Sequence, residues 1–213
     1  MTNNFKVVSF NCNGVKAKMP VINSLCQHCD IIFLQETWLR EDELEFLNNV
    51  NRNFESFSLT SMNIHDSILI GRPFGGISIL WNRSLSRHCR VIHYEDSRLL
   101  GISLTFHDQN FLFLNVYLPY FSNDNLNDYD MYIGKITSIV DNTDADGVAI
   151  IGDFNASQSN PFLENWRLYV IRVSCLCLIL PYYHKELSLI LIMAQCQNRG
   201  WIIAFVLKIC MIE

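Results

Sequence analysis

The sequence predicts an α/β sandwich, two packed mixed sheets with helices on the outside, and three observations carry that expectation. Short apolar runs alternate with polar breaks as far as about residue 163, as in a strand-rich chain. Stretches of helical period are interspersed among them. Continuous apolar runs such as Val148–Ile151 are typical of central strands covered on both faces. Half of the 213 residues are apolar, enough to bury a sizeable core.

Taken in order, Lys6–Phe10 reads as a strand. Pro20–Cys29 reads as a helix begun by proline, with Val21, Ile22, Leu25, Cys26 and Cys29 on one face. Ile31–Gln35 is a buried strand and Glu41–Asn48 a short helix. Ile77–Trp81, Arg90–Tyr94, Leu99–Phe106 and Phe111–Leu118 are strands, the last two joined by the turn-like His107–Asn110. A polar loop from Asn123 leads into a helix with Ile133, Ile136, Ile139 and Val140 on one side, and Val148–Ile151 follows as a strand. There is no internal repeat and no low-complexity tract.

After Trp166 the composition changes. Leu168–Tyr183, Leu187–Cys196 and Trp201–Ile212 are rich in Leu, Ile and Cys, and four of the eight cysteines lie in this tail. No run reaches the ~18–20 uncharged residues that a membrane span needs, because Arg172, Lys185, Glu186, Arg199 and Lys208 interrupt it. We therefore divide the chain into an incomplete domain over residues 1–165 and an apolar, Cys-rich tail over 166–213, expected to be non-homologous sequence from a frameshift or an intron read.

The stretch Met1–Lys6 has no charged start followed by an apolar run, so no signal peptide is expected. The cysteines are then free thiols in a nuclear or cytoplasmic compartment, not a secreted one. Cys26 and Cys29 form a C-x-x-C, but no second ligand pair lies at structural-zinc spacing, and their helical face makes them core residues. Residues 1–165 carry 11 Lys and Arg against 19 Asp and Glu, and the tail carries 5 against 2. An acidic body excludes nucleic-acid binding through bulk charge, so phosphate chemistry here requires a bound cation or a local basic patch.

Four apolar runs end in polar residues suited to that chemistry: Val7–Phe10 in Asn11, Ile31–Gln35 in Glu36, Phe111–Val116 in Tyr117, and Val148–Ile151 in Gly152-Asp153-Phe154-Asn155. In α/β proteins, ligands collect where strand ends and their loops converge. Singly, each has an ordinary explanation: a loop cap for Asn11, a solvated carboxylate for Glu36, a strand aromatic for Tyr117, a turn for Asp153 and Asn155. Together they compose a site for Mg²⁺ or Mn²⁺, since a hard cation takes one or two carboxylates and keeps several waters. Glu36 is the main ligand expected, with Asp153 ligating or acting on the attacking water. Asn11 and Asn155 orient that water or a phosphate oxygen, and Tyr117 donates to the phosphate as charge builds.

These residues carry a resemblance. Ser9-Phe10-Asn11-Cys12-Asn13-Gly14, Leu34-Gln35-Glu36-Thr37-Trp38, Gly75-Gly76-Ile77-Ser78-Ile79-Leu80, Asn115-Val116-Tyr117-Leu118-Pro119 and Gly152-Asp153-Phe154-Asn155 occur in the order seen in the endonuclease/exonuclease/phosphatase family. Gly71-Arg72-Pro73-Phe74-Gly75-Gly76 most resembles the apurinic-type endonuclease domain that opens the polyprotein of LINE-type non-LTR retrotransposons. The resemblance covers about residues 5–163. It implies a four-layered α/β sandwich, Mg²⁺-dependent cleavage of DNA phosphodiesters, a reverse transcriptase portion as polyprotein partner, and Asn11, Glu36, Tyr117, Asp153 and Asn155 as site residues. The chain departs from the family at its end. The family's late Ser-Asp-His type motif is not found, and the histidine after Asn155, His184, follows Tyr182–Tyr183 rather than an acid. The final strands of the second sheet are accordingly expected to be missing or replaced, leaving an open edge.

For substrate contact, Arg72, Arg83, Arg87, Arg90 and Arg98 lie close in sequence, and Arg72 and Arg87 are singled out as phosphate-tracking residues beside the plainer reading of a solvated face. The leading expectation is a retroelement-type DNA endonuclease impaired by its end. Its competitors are a phosphatase of the same fold acting on a small phosphoester, a non-catalytic retroelement remnant, and a membrane-associated protein, which the charges in the tail oppose.

Overall fold

The computed structural model describes residues 6–62, 73–106, 108–155, 188–196 and 200–208. The strands are β1 (Val7–Asn11), β2 (Ile31–Gln35), β3 (Phe54–Leu59), β4 (Ile77–Asn82), β5 (Cys89–His93), β6 (Leu99–Phe106), β7 (Gln109–Tyr117), β8 (Gly147–Asp153), β9 (Ser188–Cys196) and β10 (Gly200–Lys208). The α-helices are α1 (Met19–His28) and α2 (Leu126–Asn142), and Glu41–Asn49 is a 3-10 helix at the place of the expected short helix. One sheet has the order β1-β2-β4-β3 and the other β5-β6-β7-β8-β10-β9.

Alternation along each central strand builds the layers. Ile32 and Leu34 of β2 pack with Ile22 and Cys26 of α1. Ile31 and Phe33, on the opposite face, join Ile77, Ile79 and Trp81 against Leu100, Ile102, Leu104, Ala149 and Ile151 of the other sheet. Val148 and Ile150 of β8 point away from that interface and pack with Leu112, Leu114 and the α2 residues Tyr129, Ile133 and Ile136. Helix, sheet, sheet and helix therefore stack as four layers. This also explains why β2 and β8 read as continuous apolar runs, since both of their faces are covered. Burial holds the Cys26 thiol up at about 11, as befits a core cysteine on α1.

Two elements differ from expectation. Strand β3 escapes the sequence reading because its inward positions include a serine: Ser58 is buried and accepts a hydrogen bond from Ser78 Oγ at 2.8 Å, which breaks the apolar alternation. The expected open edge beside β8 is also corrected. Strand β10 pairs with β8 in parallel from Trp201 opposite Gly147 to Val206 opposite Gly152, and β9 pairs antiparallel with β10. Strand β10 therefore lies inside the sheet, with a paired strand on each side. Among the described residues no helix is long and apolar enough to cross a membrane. Arg72 and His184 lie outside the described residues.

Candidate active site

Asn11, Glu36, Tyr117 and Asp153 converge at one end of the sandwich. Asn11 closes β1, and its Oδ1 accepts from the Asn13 backbone N–H at 3.2 Å, which orients the amide group. Its Nδ2 then donates to Glu36 Oε1 at 3.0 Å and to Asp153 Oδ2 at 2.8 Å. One amide therefore holds two carboxylate oxygens within a few ångströms of each other. Glu36 and Asp153 follow and end strands of different sheets, so they meet across the sandwich and not on adjacent strands.

Glu36 leaves β2 in a left-handed conformation with φ 53°, an uncommon one for a residue with a side chain. Backbone hydrogen bonds from both sides hold it there. Cys12 N–H donates to Gln35 O and Gly14 N–H to Glu36 O, while Thr37 and Trp38 donate to Gly76 O and Gly75 O. Gly76 lies so close that a Cβ on it would sit 2.5 Å from Thr37 Oγ1 and 3.1 Å from Leu59 O. The Gly75-Gly76 pair in the sequence thus lets the turn before β4 clasp the turn that presents Glu36.

Tyr117 ends β7 in register with Asp153 of β8 and donates its hydroxyl to Glu36 Oε1 at 3.2 Å. Burial, and then the nearby Glu36 charge, push its phenol up to about 12, so it remains a proton donor at neutral pH. The Arg98 guanidinium lies 5.0 Å over the Tyr117 ring and donates to Tyr117 O at 3.1 Å. Burial raises the Asp153 carboxyl above its ordinary value and the Glu36 charge adds to this, while hydrogen bonds from the Asn11 amide and the Asn155 N–H act the other way. Asp153 Oδ1 accepts that Asn155 N–H at 2.9 Å.

Asn155 enters the cluster through its backbone; its Nδ2 donates instead to Leu118 O at 2.8 Å, tying the turn after β8 to the loop after β7. Arg87 is not brought to this cluster. It is exposed beyond the end of β4 where Trp81 pairs with Ile31, at the opposite end of the sandwich from Glu36. Arg83 there pairs with Glu55, and Arg90 on β5 is also exposed. Of the four arginines in that group that are described, Arg98 is the one at the site. Its signal is positional, since it directly precedes the strand that pairs with β7. Sequence reasoning also passes over Gln35 and Asn115, whose side chains bond across the sheets at 2.7 Å just behind the cluster.

The donor set fits a hard divalent cation. The hydrogen bonds to Glu36 fall on Oε1, and Glu36 and Asp153 supply the two carboxylates that Mg²⁺ usually takes alongside its waters. Among the described residues no group of three or more His, Cys, Asp or Glu is gathered, so the set is not an all-protein cage.

Fold and cluster together define a four-layered α/β sandwich with two carboxylates, an amide and a phenol gathered at one end. The Endonuclease/Exonuclease/phosphatase family matches residues 8–178, and the chain belongs to that family. Its enzymes are hydrolases, nucleases and phosphodiesterases among them, that generally use divalent metal ions. Among solved structures, the chain is similar to a humanised D. rerio TDP2 carrying 14 mutations, at 17% identity and TM-score 0.54, over 76% of this chain and 65% of that one. It is similar to the Neisseria 3' phosphatase NExo bound to a product DNA hairpin, at 18% identity and TM-score 0.52, over 76% of this chain and 63% of that one. The human Nocturnin catalytic domain with bound sulfate is similar at 10% identity and TM-score 0.57, over 96% of this chain and 93% of that one. The chain spans less than two thirds of the length of the first two. No curated protein sequence matches it.

Proposed function

We propose that this chain is a divalent-metal-dependent phosphodiesterase of the retrotransposon endonuclease type, built to act on the DNA backbone and impaired by loss of the Ser-Asp-His motif. The observation that carries the reading is the Asn11 amide shared between Glu36 and Asp153, with the Tyr117 hydroxyl on the same Glu36 oxygen. Mg²⁺ or Mn²⁺ bound there supplies Lewis-acid charge to phosphate oxygens. Glu36, with Asp153, is the side chain that holds it. Asp153 takes the proton of the attacking water as the water oxygen bonds to phosphorus and the ester bond from phosphorus to the leaving sugar oxygen breaks, that oxygen taking a proton from solvent. Tyr117, protonated at neutral pH, donates toward the phosphate oxygen on which charge accumulates. Asn11 keeps the two carboxylates together, and Asn155 holds Asp153 through its N–H.

The DNA substrate and the LINE-type assignment rest on the Gly71–Gly76 stretch, and the product DNA hairpin bound to the similar Neisseria phosphatase agrees with the substrate. A reverse transcriptase portion is the polyprotein partner this reading implies, and the compartment is nuclear or cytoplasmic. The competing reading is a non-catalytic remnant, favoured by the missing Ser-Asp-His motif. We take residues 166–213 as sequence of a different origin from residues 1–165, although the family match runs on to residue 178.

The test is nicking of supercoiled plasmid with Mg²⁺ or Mn²⁺. The chain as it stands is expected to nick little or not at all, since losing an acid/base group costs about 10²–10⁴-fold in rate. Replacing residues 166–213 with a retroelement-type segment ending in Ser-Asp-His is expected to restore nicking, and Asp153→Ala to abolish it again. A chimera that leaves plasmid intact yet hydrolyses a small phosphoester rejects the DNA reading. One inert toward both favours the remnant.

A further inference from the structure

The two sheets meet over an apolar interface that one buried polar chain interrupts. Gln35 Nε2 donates to Asn115 Oδ1 at 2.7 Å and to Ser9 Oγ at 3.0 Å. Asn115 Nδ2 donates to Leu34 O at 3.1 Å and to Ser78 O at 3.0 Å. Ser9, Gln35, Ser78 and Asn115 are all buried. Ser9, Gln35 and Ser78 belong to β1, β2 and β4 of one sheet, and Asn115 to β7 of the other, so Asn115 reaches across the sandwich.

Apolar packing alone would cover this interface without the desolvation cost of burying two amides. What amides add is direction. Apolar contact is non-directional and tolerates sliding of one sheet over the other, whereas hydrogen bonds at 2.7–3.1 Å do not. Their place in the chain gives that direction a purpose. Gln35 immediately precedes Glu36, and Asn115 lies two residues before Tyr117. Side chains two apart on a strand share a face, so Asn115 and Tyr117 both point from β7 toward the other sheet. The amide pair sits directly behind the Tyr117–Glu36 contact, which spans the same gap at 3.2 Å. A shift of the sheets away from one another along that contact would break it.

We propose that Gln35 and Asn115 are positioning residues that set the two sheets in the register at which the Tyr117 hydroxyl meets Glu36. The consequence for metal binding rests on the site reading above; the register itself does not.

The test uses the full chain with three variants and two readouts. Gln35→Met keeps length and volume while removing the donor. Gln35→Met with Asn115→Leu removes both amides, so that neither is left buried without its partner, and it serves if the single variant does not fold. Gln35→Asn with Asn115→Gln exchanges the pair and keeps donor and acceptor. The readouts are the Tyr117 Oη to Glu36 Oε1 separation in a crystal structure and the Mn²⁺ affinity by calorimetry. In the apolar variants the separation is expected to exceed hydrogen-bond reach and the affinity to fall about tenfold or more, as when support behind a metal ligand is lost. The exchange variant is expected to keep both. An apolar variant that retains the 3.2 Å contact overturns the proposal. Equal loss in the exchange variant also overturns it, because packing and not the amide pair would then set the register. If the unmodified chain binds no Mn²⁺, the metal reading of the site fails, and the separation alone decides the inference.

Discussion

Adding one methyl group at Gly152 should cost more than any other single-carbon change near the site. Gly152 precedes Asp153 on β8 and is paired in parallel with Val116 on β7. Its φ is 141°, a conformation that side-chain-bearing residues rarely adopt. A Cβ built there lies 2.0 Å from Val116 O, 2.8 Å from Val116 N and 2.9 Å from Val116 C. All three are backbone atoms of the adjoining strand, so no flexible side chain can swing aside. Relief requires β7 and β8 to part or Gly152 to change its dihedrals, and either shifts Asp153 from Asn11. Overpacking of this kind costs about 1–3 kcal/mol, and the disfavoured backbone conformation costs about 1–3 kcal/mol more. Gly152→Ala should therefore lose about 2–6 kcal/mol, a large part of the stability of a typical domain. The assay is urea unfolding followed by tryptophan fluorescence, with the change taken from the midpoints at constant slope. Gly134→Ala on α2 is the internal comparison: a Cβ there meets nothing within 4 Å, and the substitution should stabilise the chain by about 0.5–1 kcal/mol. A loss below about 1 kcal/mol for Gly152→Ala, the size of an average point substitution, would refute the reasoning.

The other expected outcomes concern the carboxylates. Glu36→Gln keeps the shape but removes the charge that a hard cation depends on, so Mn²⁺ binding measured by calorimetry should disappear; an unchanged titration would remove Glu36 from the ligand set. Asp153 has a folded-state pKa raised above its ordinary value of 3.8, first by burial. A raised carboxyl pKa means that the protonated form favours folding, so its contribution is present below the unfolded value and lost as pH rises through the folded value. In metal-free buffer, the stability of Asp153→Asn relative to the unmodified chain should therefore increase as pH rises above 3.8, read from urea midpoints across the pH range. A difference that is flat with pH, or that grows in the opposite direction, would show that Asp153 is well solvated or well paired when ionised.

The features legible in the amino-acid sequence are local. β2 and β8 declared themselves as continuous apolar runs because each is covered on both faces, and the residues ending β1, β2, β7 and β8 stood out because polar groups follow such runs. α1 and α2 were visible through their period. Pairing was not visible in this way. Asn11 and Asp153 are 142 positions apart, and the hydrogen bond between them depends on which strands lie side by side and which sheet each joins. Hydrophobic periodicity reports which face of a strand is covered, not what covers it. Only the tertiary structure therefore decided that Glu36 and Asp153 meet across two sheets, that Arg98 and not Arg87 lies at the site, and that the Asn155 amide turns to Leu118. The same limit hid β3, whose buried Ser58 is satisfied by a serine on the neighbouring strand, 20 positions away in sequence. It hid the place of β10 as well, since an apolar run looks alike whether its neighbour is lipid, a helix or the edge of β8.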